Sequence, residues 1–219
     1  MNPDEAVLKI VELYRSSWRP REPDPFRALV RTVLSQNTTF RNEMAAFRQL
    51  DGCVGVAPEN IAEASEEEIA RCIRPAGMHR VRARKLKALA RAVLERYGGD
   101  LGKVLEKPLE EARRELMSLP GVGPKTADVV LVFNARKPVL AVDRHIMRVS
   151  KRIGLVGEKA GYEDVRVRLE TILPPELYPE AHLALIRFGR EVCRARNPRC
   201  RECPVREACK QSRRGVSVS

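Results

Sequence analysis

Four of the chain's six cysteines crowd into one late stretch: Cys193, Cys200, Cys203 and Cys209, spaced C-x6-C-x2-C-x5-C within 17 residues. Thiolates this dense can wrap a tetrahedral zinc or an iron–sulfur cubane. In a long chain that reads as cytosolic they are poor disulfide partners. Zinc sites commonly pair two C-x2-C knuckles, and Cys200–Cys203 is the only one here. The uneven spacing therefore favours a 4Fe–4S cubane met by one continuous loop. Arg194, Arg196, Arg199, Arg201 and Arg206 lie around these thiols and could balance the negative charge of such a cubane. Cys53 and Cys72 have no comparable spacing and read as small buried hydrophobes.

A second stretch with chemistry in it is Leu119-Pro120-Gly121-Val122-Gly123-Pro124-Lys125-Thr126. Two glycines permit a tight turn whose amides point outward, and Pro124 starts a helix whose positive dipole end faces the same way. Such a hairpin can grip a nucleic-acid phosphate without reading sequence. Lys125 falls in the first turn of that helix, where the macrodipole disfavours a cation and tends to lower its pKa, as a nucleophilic amine requires. Asp143, in Ala141-Val142-Asp143-Arg144-His145, follows an apolar run. On local sequence alone the plainer reading is favoured: Asp143 caps a helix and Lys125 binds a phosphate.

The elements that must position these residues are all helical. Apolar periodicity predicts helices over Pro3–Ser16, Phe26–Gln36, Arg80–Tyr97, Pro108–Ser118, Pro124–Asn134, Asp143–Ile153, Glu163–Leu173 and Tyr178–Val192. A further helix runs to Leu50 from a cap at Thr38 or Thr39, and Ser65 with Glu68 forms a capping box for Glu66–Ile73. Asp24-Pro25 reads as an N-cap followed by proline at the first helical position. No sustained alternation of period two appears, so the fold class is all-α. A short polar tail follows Lys210.

The whole chain carries 41 Lys+Arg against 29 Asp+Glu, a net charge of +12 over 219 residues. That excess favours a polyanionic partner. No uncharged stretch exceeds nine residues, as at Thr32–Phe40 and Leu116–Pro124, which excludes a membrane-spanning helix. The acidic start, Met1-Asn2-Pro3-Asp4-Glu5, lacks the pattern of a signal peptide, so a cytoplasmic location is expected. Scarce amides, six Asn and three Gln, point toward a thermophilic source.

Taken in order, these elements resemble the helix–hairpin–helix DNA glycosylase superfamily, and within it the endonuclease III group. The resemblance rests on LPGVGPKTADVVL (Leu119–Leu131), AVDRHIMRVSKRIGL (Ala141–Leu155) and the cysteine loop. Asp24–Thr39 and Ala76–Ala90 add to it, so it spans residues 24–210. It implies a six-helix domain over 24–134 that contains the hairpin, and a cluster domain joining 1–23 with 135–219, its 4Fe–4S loop at 193–209. Double-stranded DNA would lie across the cleft between them, with Lys125 and Asp143 at its mouth.

By the same resemblance, Lys125 matches the lysine nucleophile of members that both remove a base and cut the strand, and Asp143 matches the aspartate that supports this step. Gly121, Val122, Gly123, Lys125 and Thr126 would hold DNA, while Gln36 or Asn37 would fill the place of the extruded base. His145 would brace the Asp143 loop. The implied activity is removal of oxidised pyrimidines from duplex DNA through a lysine Schiff base and β-elimination, by a monomer in a prokaryotic cytoplasm at the nucleoid. The rivals are a thymine or uracil mismatch glycosylase and a noncatalytic helix–hairpin–helix DNA-binding protein. Phe40 stands where the group often has aspartate, and Arg144 where threonine is common.

Overall fold

Prolines and short polar side chains set where the helices begin. A computed structural model describes residues 1–20 and 22–209, and the tail after Lys210 lies outside the described residues. Within them the chain forms twelve α-helices and three short 3₁₀ turns, with no strand, which agrees with the all-α expectation. The helices are α1 (Pro3–Tyr14), α2 (Pro25–Ser35), α3 (Phe40–Cys53), α4 (Pro58–Glu63), α5 (Glu66–Cys72) and α6 (His79–Tyr97). There follow α7 (Gly102–Glu106), α8 (Leu109–Met117), α9 (Pro124–Asn134), α10 (Arg144–Ile153), α11 (Tyr162–Glu170) and α12 (Tyr178–Glu191).

Asp24 caps α2 by accepting the Arg27 N–H at 2.8 Å, with Pro25 at the first helical position. Thr39, not Thr38, caps α3 through the Asn42 N–H. Ser65 accepts the Glu68 N–H at 3.1 Å but, among the described residues, its own N–H makes no return bond to the Glu68 carboxylate, so only half of its capping box forms. Helices α4 and α7 escape the apolar periodicity because they run only six and five residues and begin without a side-chain cap.

Two compact units divide the chain: residues 20–137 form one, and residues 1–19 with 138–219 form the other. In the first, α6 packs on α4 and α5, α2 packs on α3 and α9, and α8 packs on α9. Leu29, Leu34, Leu50, Ile61, Leu86, Leu89, Leu116 and Leu131 are fully buried there. In the second, α12 packs on α1 and α10, and the Tyr14 and Phe188 rings meet edge-on at 5.4 Å. No helix among the described residues is long and apolar enough to cross a membrane.

One expectation is corrected. Cys53, exposed at the end of α3, and Cys72, buried at the end of α5, form a disulfide with Cα atoms 6.6 Å apart. They are not two separate apolar thiols. Packing of α3 on α5 brings their ends together, and nothing in a separation of 19 residues signals that approach.

The hairpin region hangs on a buried ion pair. Arg113 on α8 donates from Nε to Asp128 Oδ1 at 2.7 Å and from Nη2 to Oδ2 at 3.2 Å, with Asp128 fully buried on α9. This two-pronged contact fixes both the distance and the rotation of one helix against the other. Removing the carboxylate leaves a buried guanidinium without its counter-charge, which costs about 3–5 kcal/mol. Asp128→Ala should lower the unfolding free energy by that amount in urea titration. Replacing both partners, as Arg113→Met with Asp128→Leu, should recover most of the loss.

Candidate functional site

The hairpin lies between α8 and α9. Gly121 turns the chain with φ at +79°, a conformation that costs a side-chain-bearing residue dearly. Val122 N–H then bonds to Leu119 C=O at 3.1 Å, closing the turn, and Thr126 N–H bonds to Gly123 C=O at 2.9 Å, opening α9. The Val122 and Thr126 side chains are buried, so both residues serve the turn itself. Among the described residues, the amides of Gly121 and Gly123 take no backbone acceptor. Gly123 is exposed, and a Cβ placed there would meet nothing within 4 Å.

Lys125 is half-buried, the second residue of α9. Lys85 of α6 lays its aliphatic stem beside Gly121, 3.6 Å from where a Cβ would stand. Open amides, a helix N-terminus and two lysines on one unit make a surface suited to phosphate oxygens.

Asp143 belongs to the other unit and is held by a run of chain with no regular structure. Buried backbone of this kind must find side-chain partners. Leu140 N–H bonds to Glu170 Oε1 at 2.8 Å, Val142 N–H to Tyr162 Oη at 3.2 Å, and His182 Nδ1 lies 2.7 Å from Ala141 C=O. With that run pinned, Asp143 caps α10: its Oδ1 accepts the His145 and Ile146 N–H groups at 2.7 and 2.9 Å. Both bonds fall on one oxygen. The second oxygen takes no part in the cap, and Asp143 is half-buried, so one carboxylate both caps and presents an oxygen outside the cap.

His145 braces α10 against α12. A Cβ on Gly189 would come within 2.9 Å of the His145 Cβ, so only glycine permits this approach. Arg148 Nη2 donates to His145 Nδ1 at 3.1 Å and to Gly189 C=O at 2.8 Å. Burial outweighs the opposing pull of Asp143 and lowers the imidazole below its ordinary pKa, which fits a ring that accepts from arginine.

The same helix reaches the cysteine loop. Arg148 Nε donates to Cys193 C=O at 2.9 Å, and Arg152 donates to the carbonyls of Arg194 and Ala195 and, at 3.5 Å, to Cys193 Sγ. Cys193, Cys200, Cys203 and Cys209 line one small pocket, walled also by Val192 and Pro198. Burial is the main force that pushes the Cys203 thiol up to about 11. Among the described residues no three His, Cys, Asp or Glu side chains converge as a single-ion site requires.

Gln36 ends α2 and is half-buried, while Asn37 is exposed with φ at +52°. Sequence reasoning missed Arg82, a buried residue of α6 whose guanidinium reaches three carbonyls. A signal existed: Arg82 lies four residues before Leu86, on the stripe of Leu86, Leu89 and Val93 that the periodicity assigns to the core.

The model of the HhH-GPD superfamily of base excision DNA repair proteins matches residues 30–175. Endonuclease III of Thermotoga maritima is 38% identical over 211 residues, which cover 96% of this chain and 93% of the relative. Endonuclease III of Sulfolobus acidocaldarius is 34% identical over 186 residues, covering 84% and 81%. A solved structure of endonuclease III trapped in a covalent intermediate with DNA matches with a TM-score of 0.85 at 29% identity, covering 98% of each chain. A thermostable thymine-DNA glycosylase matches at 0.77 and 26% identity over 97% of this chain and 95% of that one. The chain therefore belongs to the HhH-GPD superfamily of base excision DNA repair proteins and, within it, to the endonuclease III family.

Asparagine caps a helix nearly as well as aspartate but carries no charge. Asp143→Asn should therefore keep its unfolding free energy within about 0.5 kcal/mol. The family resemblance gives Asp143 a supporting charge in the reaction, and on that reading the variant's turnover should fall on the order of a hundredfold. Thermal melts and single-turnover assays on the same preparation check both halves.

Proposed function

We infer that this protein is a DNA glycosylase with AP-lyase activity that binds duplex DNA and removes oxidised pyrimidines. The observation that carries the reading is Lys125, an amine at the second position of a helix whose hairpin presents the free amides of Gly121 and Gly123. The hairpin amides and the basic surface take the backbone phosphates. A damaged, weakly stacked base costs less to extrude, which supplies part of the selectivity. Gln36 or Asn37 fills the space left in the stack.

The Lys125 amine, as its free base, attacks the anomeric carbon of the extruded nucleotide, and the bond to the base breaks as the new C–N bond forms. Asp143 stabilises the cationic character that develops on the sugar and helps take the proton from the amine. Ring opening gives an imine between Lys125 and the sugar, and loss of a proton beside it expels the 3′ phosphate by β-elimination. His145 acts only as a brace of the Asp143 helix. The protein works as a monomer, in the cytoplasm at the nucleoid.

The four cysteines are the ligands of a 4Fe–4S cluster, which when bound orders the loop and adds a negative charge among its arginines. All four thiols line one pocket, and their uneven spacing suits a cubane met by one continuous loop better than a zinc held by two paired knuckles. Elemental analysis of anaerobically purified protein should give four irons with sulfide per chain, and one zinc without iron would refute the assignment.

The lysine chemistry has its own assay. Borohydride should trap a covalent adduct between the protein and lesion-bearing duplex, and Lys125→Ala should abolish it. Trapping by the alanine variant at the wild-type rate would move the nucleophile elsewhere. A wild-type chain that removes thymine opposite guanine without ever trapping would make it a mismatch glycosylase instead.

A further inference from the structure

A buried arginine that takes no part in the bond chemistry ties two exposed loops together. Arg82 is 4% exposed on α6. Its Nε donates to Gly77 C=O at 2.9 Å, its Nη1 to Val33 C=O and its Nη2 to Gln36 C=O. Val33 and Gln36 lie at the end of α2, where the Val33 carbonyl takes only a long 3.4 Å bond from the Gln36 N–H and a cation is favoured. Gly77 lies in the turn that opens α6. One planar guanidinium thus closes the end of one helix onto the start of another.

Both loops hold unfavourable backbone. Asn37, next to Gln36, has φ at +52°, and Met78, next to Gly77, has φ at +48°. The described chain has four non-glycine residues with positive φ, so half of them adjoin a carbonyl held by Arg82. Such conformations persist only where the surroundings over-determine them, and they gather where a protein meets its ligand. Neither tip gains by packing: Asn37 is exposed, and Met78, at 61%, is the most exposed large hydrophobic side chain among the described residues. Apolar side chains held stiffly at a surface are suited to wedging between base steps.

Building on the reading that this chain extrudes a damaged nucleotide, we propose that Arg82 is a positioning residue for extrusion, locking the Asn37 and Met78 loops into one rigid tip. Two independently mobile loops would have to be ordered each time DNA binds, and that ordering would oppose unstacking. With the loops joined in advance, the ordering is already done when the duplex arrives. Lysine cannot replace arginine here, because one ammonium does not present the flat fork that reaches both loops at once.

The test compares wild type with Arg82→Lys in single turnover on two duplexes, one with an oxidised pyrimidine and one with a preformed abasic site. Base removal should slow on the order of tenfold, while nicking of the abasic site, which has no base to extrude, should change by less than about threefold. Met78→Ala should also slow base removal, and adding it to Arg82→Lys should slow it little further. Equal losses on the two duplexes, or losses that multiply in the double variant, would overturn the proposal. If Arg82→Lys does not fold, amide exchange in unmodified protein decides: residues 36–39 and 77–80 should open as one unit, and distinct opening free energies would overturn it. A wild type that processes neither duplex would instead remove the glycosylase reading on which the proposal stands.

Discussion

The contact between Arg113 and Asp128 sets the geometry from which the hairpin follows. Both carboxylate oxygens are engaged and the pair is out of water, so α8 and α9 cannot slide or rotate without breaking two charge-assisted bonds. With those axes fixed, only a tight turn can join them, and Gly121 supplies the left-handed residue it needs. The amides that face outward do so because the ends of two helices have nowhere else to point. The open amides are a by-product of helix packing, and no loop has to be ordered to present them.

The other unit solves a different problem with similar means. Its carboxylate is half-exposed and yet fixed in direction. The buried run before Asp143 receives its partners from Glu170, Tyr162 and His182, three side chains on two helices. After it, α10 carries Asp143 at its head and presents Arg148 and Arg152 to the cysteine loop. A short helix is stiff over this length, so disorder in the loop would be felt at the cap. The helix thus ties the position of the cap to the order of the cysteine loop.

Legibility in the sequence tracked the range of the interaction. Caps were readable because Asp24, Thr39 and Asp143 act within three residues of themselves. Of the Ser65 box, the half that formed ends on the short Ser65 side chain; the other half needs the longer Glu68 side chain to fold back to the Ser65 N–H, which gives up more rotamer freedom. Pairings set by packing left no trace: α3 meets α5 at Cys53 and Cys72, and no local spacing encodes it. Arg82 falls between these cases. Its place on the apolar stripe of α6 was visible, but two of its three carbonyl partners, Val33 and Gln36, come within reach only once α2 packs against α6.

The division of the chain has a consequence for synthesis. Residues 20–137 are continuous and can fold as they leave the ribosome. Helix α1, made earlier still, packs on α12, so its apolar face of Val7, Ile10 and Val11 must wait through most of translation for its partner. The four thiols emerge after α12, so whatever they bind is taken up by a chain whose hairpin has already been made. Until α12 is made, one unit can be native while the other is unfinished, its first helix still exposed to chaperones and proteases.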